Sequence, residues 1–172
     1  GALRRMLFGS TWRQEWITPV DVPILELGSH GGGLTPVREG GNQSRTLHFN
    51  GADGRRYVFR TADKRLAPRF NADLLGTPVG GIIEDLLSSL HPASVLMAHV
   101  IEDAAGVLHP EPRLVQLPDD SRLGAFRESF AFQLGYIAER PDDVPPGVAS
   151  FAGAHRFVGA DRLLEQLDAS PR

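Results

Sequence analysis

Residues 31–64 read "GGGLTPVREGGNQSRTLHFNGADGRRYVFRTADK", short runs of β-branched and aromatic residues separated by glycine-rich breaks. Asp53-Gly54 between two such runs is a strong hairpin signal, and Gly40-Gly41 opens a second connection. The pattern predicts strands over Leu34–Glu39, Arg45–Asn50 and Arg55–Ala62. Joined by tight turns, consecutive strands must run antiparallel, which makes a meander the seed of the fold. Strand alternation places Tyr57, Phe59 and Thr61 on one face and Val58, Arg60 and Ala62 on the other.

The rest of the chain builds around that seed. "LRRMLFG" and "STWRQEW" read as short helical turns, and the prolines of "TPVDVPILEL" keep the next segment extended. Residues 65–76, with Pro68, Asn71 and Gly76, read as a loop. In "TPVGGIIEDLLSSLHP", Val79, Ile82, Ile83, Leu86, Leu87 and Leu90 form one apolar stripe, with Thr77 as N-cap and Pro92 past the end. "SVLMAHVIEDA" fits a helix or a buried strand, and "GVLHPEPRLVQLP" a strand interrupted by a proline-bounded turn. "DDSRLGAFRE" reads as a loop with a turn of helix. "FAFQLGYIAE" alternates Phe130, Phe132, Leu134, Tyr136 and Ala138 on one face, the signature of a strand. "GADRLLEQLDA" closes the chain as an amphipathic helix. The sum is an α+β chain: a mostly antiparallel sheet with a packed helix. It divides into an entry segment, 1–30, a sheet-and-helix body, 31–158, and a terminal helix, 159–172.

Composition narrows the chemistry. A net charge of −3 gives no broad attraction to nucleic acid or anionic membrane, although a local basic cluster can still hold a phosphate. With no cysteine, disulfides, thiolate metal sites and cysteine nucleophiles are excluded. The six histidines have no close ligand spacing, so no metal site is expected. No apolar run approaches the roughly 20 residues that span a bilayer, and there is no G-x-S-x-G elbow. The opening glycine and the closing "LDASPR" read as a piece of something longer.

Two places could carry function. The Gly40-Gly41 turn exposes backbone N–H groups, as an anion cradle requires; Gln43 adds a donor and Arg45 a charge. A glycine hairpin with polar decoration explains the same residues, and spacing alone favours it. Arg60, at the end of the third strand, shares its face with a valine, and a covered charge needs a partner. Glu84 and Asp85 flank the apolar stripe of the following helix, and periodicity does not choose between them. Alternatively, Arg60 reaches water along its stem.

The order strand, glycine loop, strand, Asp-Gly turn, strand with a basic end, helix with an acid, strands is the layout of a kinase-like N-terminal lobe. In "LFGSTWRQEWITPVDVPIL", "GGLTPVREGG", "DGRRYVFRTADK", "LHPEPRLVQLPDD" and "ERPDD" the chain resembles a bacterial family of kinase-like proteins. That family is related to the HipA and phosphatidylinositol-kinase group. It occurs in large proteins between a metallophosphoesterase-like region and an outer-membrane barrel of the surface-antigen type. The resemblance implies ATP as ligand, with phosphates under Gly40, Gly41, Gln43 and Arg45, Arg60 at the phosphate-contacting position, and Asp85 rather than Glu84 as its partner. Lys64 is then an exposed residue beyond the strand. Arginine stands at both basic positions where the kinases carry lysine, and it forks to phosphate with different geometry. The family's Asp-Arg-His catalytic element does not occur within the chain, so no catalytic residue is assigned. Phosphate transfer and any Mg2+ belong to a C-terminal lobe outside these residues. A cell-envelope, periplasmic setting follows from the resemblance, and the alternative is a non-catalytic scaffold or interaction domain.

Overall fold

A computed structural model describes residues 19–41, 44–64, 93–143, 147–148, 151–154 and 156–170. The predicted stripe helix of 77–92, the N-terminal turns and the 65–76 loop lie outside them. The described elements are β1 (Leu34–Gly40), β2 (Ser44–Gly51), β3 (Arg56–Lys64), α1 (Ser94–Ala104), β4 (Arg113–Gln116), α2 (Arg127–Phe130), β5 (Leu134–Glu139) and α3 (Ala160–Ala169).

The five strands form one antiparallel sheet in the order β1-β2-β3-β5-β4. The meander is held at its Asp53 turn: Gly51 N–H donates to Arg55 O, and the Asp53 carboxylate accepts from Arg55 N–H (3.0 Å) and the Tyr57 hydroxyl (2.6 Å). The α+β class and the three-strand reading therefore stand. Lys64 is a correction. The strand runs on to it, pairing Lys64 with Ser44 across a bulge.

One face of the sheet makes the core. Leu34, Leu47, Phe49, Tyr57, Phe59, Val115 and Ile137 pack against Leu25 and Leu27 of the entry segment. Leu117, Leu123 and Phe130, from the stretch after β4, complete it. Tyr57, Phe59 and Thr61 are buried, as alternation requires.

The β5 region departs from the sequence reading. The strand begins only at Leu134; Leu134, Tyr136 and Ala138 share a face as read, and Gly135 and Ile137 turn to the core. Phe130 is buried through the short α2, whereas Phe132 is 65% exposed with φ 62°, so the apolar alternation runs across a chain reversal. The ambiguous "SVLMAHVIEDA" is α1, and it buries none of its residues. Among the described residues no helix is long and apolar enough to cross a membrane.

The only two tyrosines in the chain are both held protonated. Burial pushes Tyr57 up to about 12, helped by its bond to Asp53 and that residue's charge, and burial alone pushes Tyr136 up to about 12. The folded state thus keeps phenol protons that the unfolded chain loses near pH 10. Stability supplied this way is complete below pH 10 and is lost as pH rises through about 12. An alkaline titration of the native protein should show no tyrosinate absorbance around pH 10, and one in urea should show it there.

Candidate functional site

The face of the sheet away from this core carries positive charge. Cross-strand rows fix its layout: Arg38, His48, Val58 and Ala138 form one row, and Gly40, Thr46, Arg60 and Tyr136 the next. Arg140 follows β5, its N–H donating to Arg56 O (2.7 Å). Val58 and Ala62 on this face are buried, yet Arg60 between them is exposed.

His48 sits amid the arginines. Its pKa is lowered first by burial, then by the charges of Arg38, Arg140 and Arg60. Arg140 Nη1 lies 3.5 Å from His48 Nδ1. A guanidinium can only donate, so Nδ1 accepts and the neutral ring carries its proton on Nε2. That nitrogen faces the Gly40 end: a Cβ on Gly40 would lie 3.7 Å from His48 Nε2 and 3.5 Å from Arg38 Nη1.

Carboxylates answer only part of this charge. Asp142 takes Arg56 at 2.8 Å and Arg140 at 3.8 Å. Among the described residues no carboxylate pairs with Arg38 or Arg60.

The residues singled out from sequence divide. Gly40, Gly41 and Arg60 come to one end of this sheet. Gly41 is a requirement of the turn, since at φ 105° its Cβ would lie 2.0 Å from Ser44 O. Arg45 goes elsewhere. Its Nε donates to Glu39 (2.9 Å) and its Nη1 to Ser129 O (2.8 Å), and its guanidinium lies 4.5 Å over the ring of Phe130 on the core side. Its side chain thereby pins α2 to β1 and does not share a face with Arg60. Gln43 and Asp85 lie outside the described residues.

Sequence reasoning missed Arg38, His48 and Arg140. The signal was present in part: extending the Asp53 hairpin register puts His48 opposite Val58, beside Arg60 on one face.

A cavity of about 540 Å3 opens elsewhere, beside β4, between Pro23–His30 and the sheet. His30 lines it, its pKa lowered by burial and then by Arg113. No protein-family model, curated protein or solved structure matches the chain.

Proposed function

We propose that the cationic sheet face binds the phosphates of a nucleotide, as the N-terminal half of a kinase-like fold whose catalytic lobe lies outside these residues. The observation that carries the reading is the pairing of Arg38 and Arg60, without acid partners among the described residues, with a His48 whose Nε2 proton faces Gly40. Two guanidiniums fork to phosphate oxygens, the imidazole N–H donates to a third, and glycine at position 40 admits close approach. Tyr136, half-buried, offers a flat aromatic surface on the same face. ATP is the nucleotide the resemblance implies, and the envelope setting belongs to the same proposal.

Calorimetry of the chain with ATP and with inorganic tripolyphosphate tests this. Arg38→Ala and Arg60→Ala should each weaken binding about tenfold, the loss of one charge-assisted hydrogen bond. Arg122→Ala, whose guanidinium pairs with Asp120 away from this face, should leave it unchanged. A bound anion offsets the positive field at His48, so its NMR-monitored pKa should rise from its lowered position and binding should tighten as pH falls. A chain that takes up neither ligand at millimolar concentration removes the reading. The scaffold alternative then stands, and the structural engagement of Arg45 favours it.

A further inference from the structure

His99 and His109 are ten residues apart in sequence and meet in space. His99 lies on α1, where Glu102 and Asp103 follow three and four positions later. The helix then ends in a well-bonded turn: Ala105 N–H donates to Ile101 O, Gly106 N–H to Asp103 O and Val107 N–H to Glu102 O. That turn brings His109 back alongside the helix, with ring centroids 4.7 Å apart.

The tautomer of His109 follows from its surroundings. Its Nδ1 lies 2.6 Å from Val107 O, and a carbonyl only accepts, so Nδ1 carries the proton. Nε2 of the neutral ring is therefore a bare lone pair, and it points at His99 Nδ1, 2.5 Å away. Two lone pairs cannot face each other at that distance, so in the free protein a proton on His99 Nδ1 bridges them. A cation can take the place of that proton. A ligating histidine characteristically fixes its ring by donating its second N–H to a carbonyl, as His109 does to Val107.

We propose that His99 and His109 form a two-histidine site for a borderline divalent metal ion, Cu2+, Ni2+ or Zn2+. On binding, the proton of His99 Nδ1 moves to the other nitrogen of its ring. Both facing nitrogens are then ligands, and their separation widens to about 3 Å to admit metal–nitrogen bonds of about 2.0–2.1 Å. Among the described residues no group of three or more histidine or carboxylate ligands assembles, so the two imidazoles are the protein ligands that the described residues supply. Imidazole donors without carboxylates select against Mg2+ and Ca2+, and affinity should follow Cu2+ above Ni2+ and Zn2+. The site is separate from the cationic face and does not depend on the nucleotide reading.

The test is titration of the chain with Cu2+ in a non-coordinating buffer, followed by electron paramagnetic resonance, with Ni2+ and Zn2+ compared by calorimetry. The expected result is saturable uptake with nitrogen hyperfine structure, and substoichiometric Cu2+ broadening the His99 and His109 ring signals before those of other histidines. His99→Ala and His109→Ala should each weaken uptake tenfold or more, and His30→Ala should not. Both positions are half-buried at a helix end, and circular dichroism melts verify that the variants fold. Uptake that persists undiminished in the His99→Ala/His109→Ala double variant, or that never saturates, is adventitious surface binding and overturns the proposal.

Discussion

Replacing Phe59 with alanine lowers the unfolding free energy by about 3–5 kcal/mol. Phe59 is fully buried, and its strand neighbours across the sheet are Leu47 and Ile137, themselves 0% and 1% exposed. The alanine variant loses the transfer free energy of the ring, and it leaves a cavity that the sheet cannot close. Hydrogen bonds fix the spacing of β2, β3 and β5, so only the layer of Leu25, Leu27, Leu117, Leu123 and Phe130 could settle inward. Against a typical domain stability of about 5–15 kcal/mol, that loss brings the chain close to unfolding. Urea denaturation monitored by circular dichroism checks it. The midpoint should fall sharply at unchanged slope, while Val37→Ala, on a residue 50% exposed, should move stability by less than about 0.5 kcal/mol. Equal midpoints for the two variants would place the core elsewhere.

The contrast between Phe59 and Phe132 shows how far the sequence can be read. Around Phe59 every local signal agrees: alternating aromatic and β-branched residues, an Asp-Gly turn, and strands that pair with their sequence neighbours. Strand pairing there needs no information from afar. From Phe130 to Ala138 the same alternation is present, but its first half belongs to α2 and a reversed turn at Phe132. A two-residue period is blind to a φ of 62° at one position, so it joined Phe130 and Phe132 to the face that Leu134, Tyr136 and Ala138 share. α1 was ambiguous because none of its apolar residues is buried, which leaves no stripe for periodicity to find.

The candidate site was legible only where it rests on one strand. Arg60 follows from β3 alone. Arg38, His48 and Arg140 join it through cross-strand register and through the residue after β5, so they are scattered over more than a hundred positions and share no motif. Arg45 was placed with Arg60 because the resemblance puts both at phosphate-contacting positions. Its contacts with Glu39, Ser129 and Phe130 are set by tertiary packing, which turn chemistry does not reveal. His99 and His109 fail ligand-spacing rules for a similar reason: the turn at Ala105–Gly106, not the interval between them, brings their rings together.

Gly135→Ala should cost about 3 kcal/mol or more, beyond the usual range for one added methyl group in a core. Gly135 pairs with Thr61 where β5 crosses β3. A Cβ there would lie 2.2 Å from the Arg60 carbonyl oxygen and 2.5 Å from Cζ of the Phe59 ring. The ring has no free volume to retreat into, because Phe59 is already fully buried. The carbonyl is backbone in the middle of the sheet, so relief requires β5 to part from β3. Gly159→Ala is the matched control, since nothing lies within 4 Å of its Cβ position and its φ of −65° suits any residue. It should cost no more than about 1 kcal/mol, the loss of glycine at the N-cap of α3. The variant also reaches the cationic face. Displacing the Arg60 carbonyl moves the backbone that aims its guanidinium, so folded Gly135→Ala protein should bind tripolyphosphate more weakly than Gly159→Ala at the same temperature. Equal stability of the two alanine variants would mean that β5 does not sit against β3 at Gly135, and the cross-strand row that aligns Arg60 with Tyr136 would fall with it.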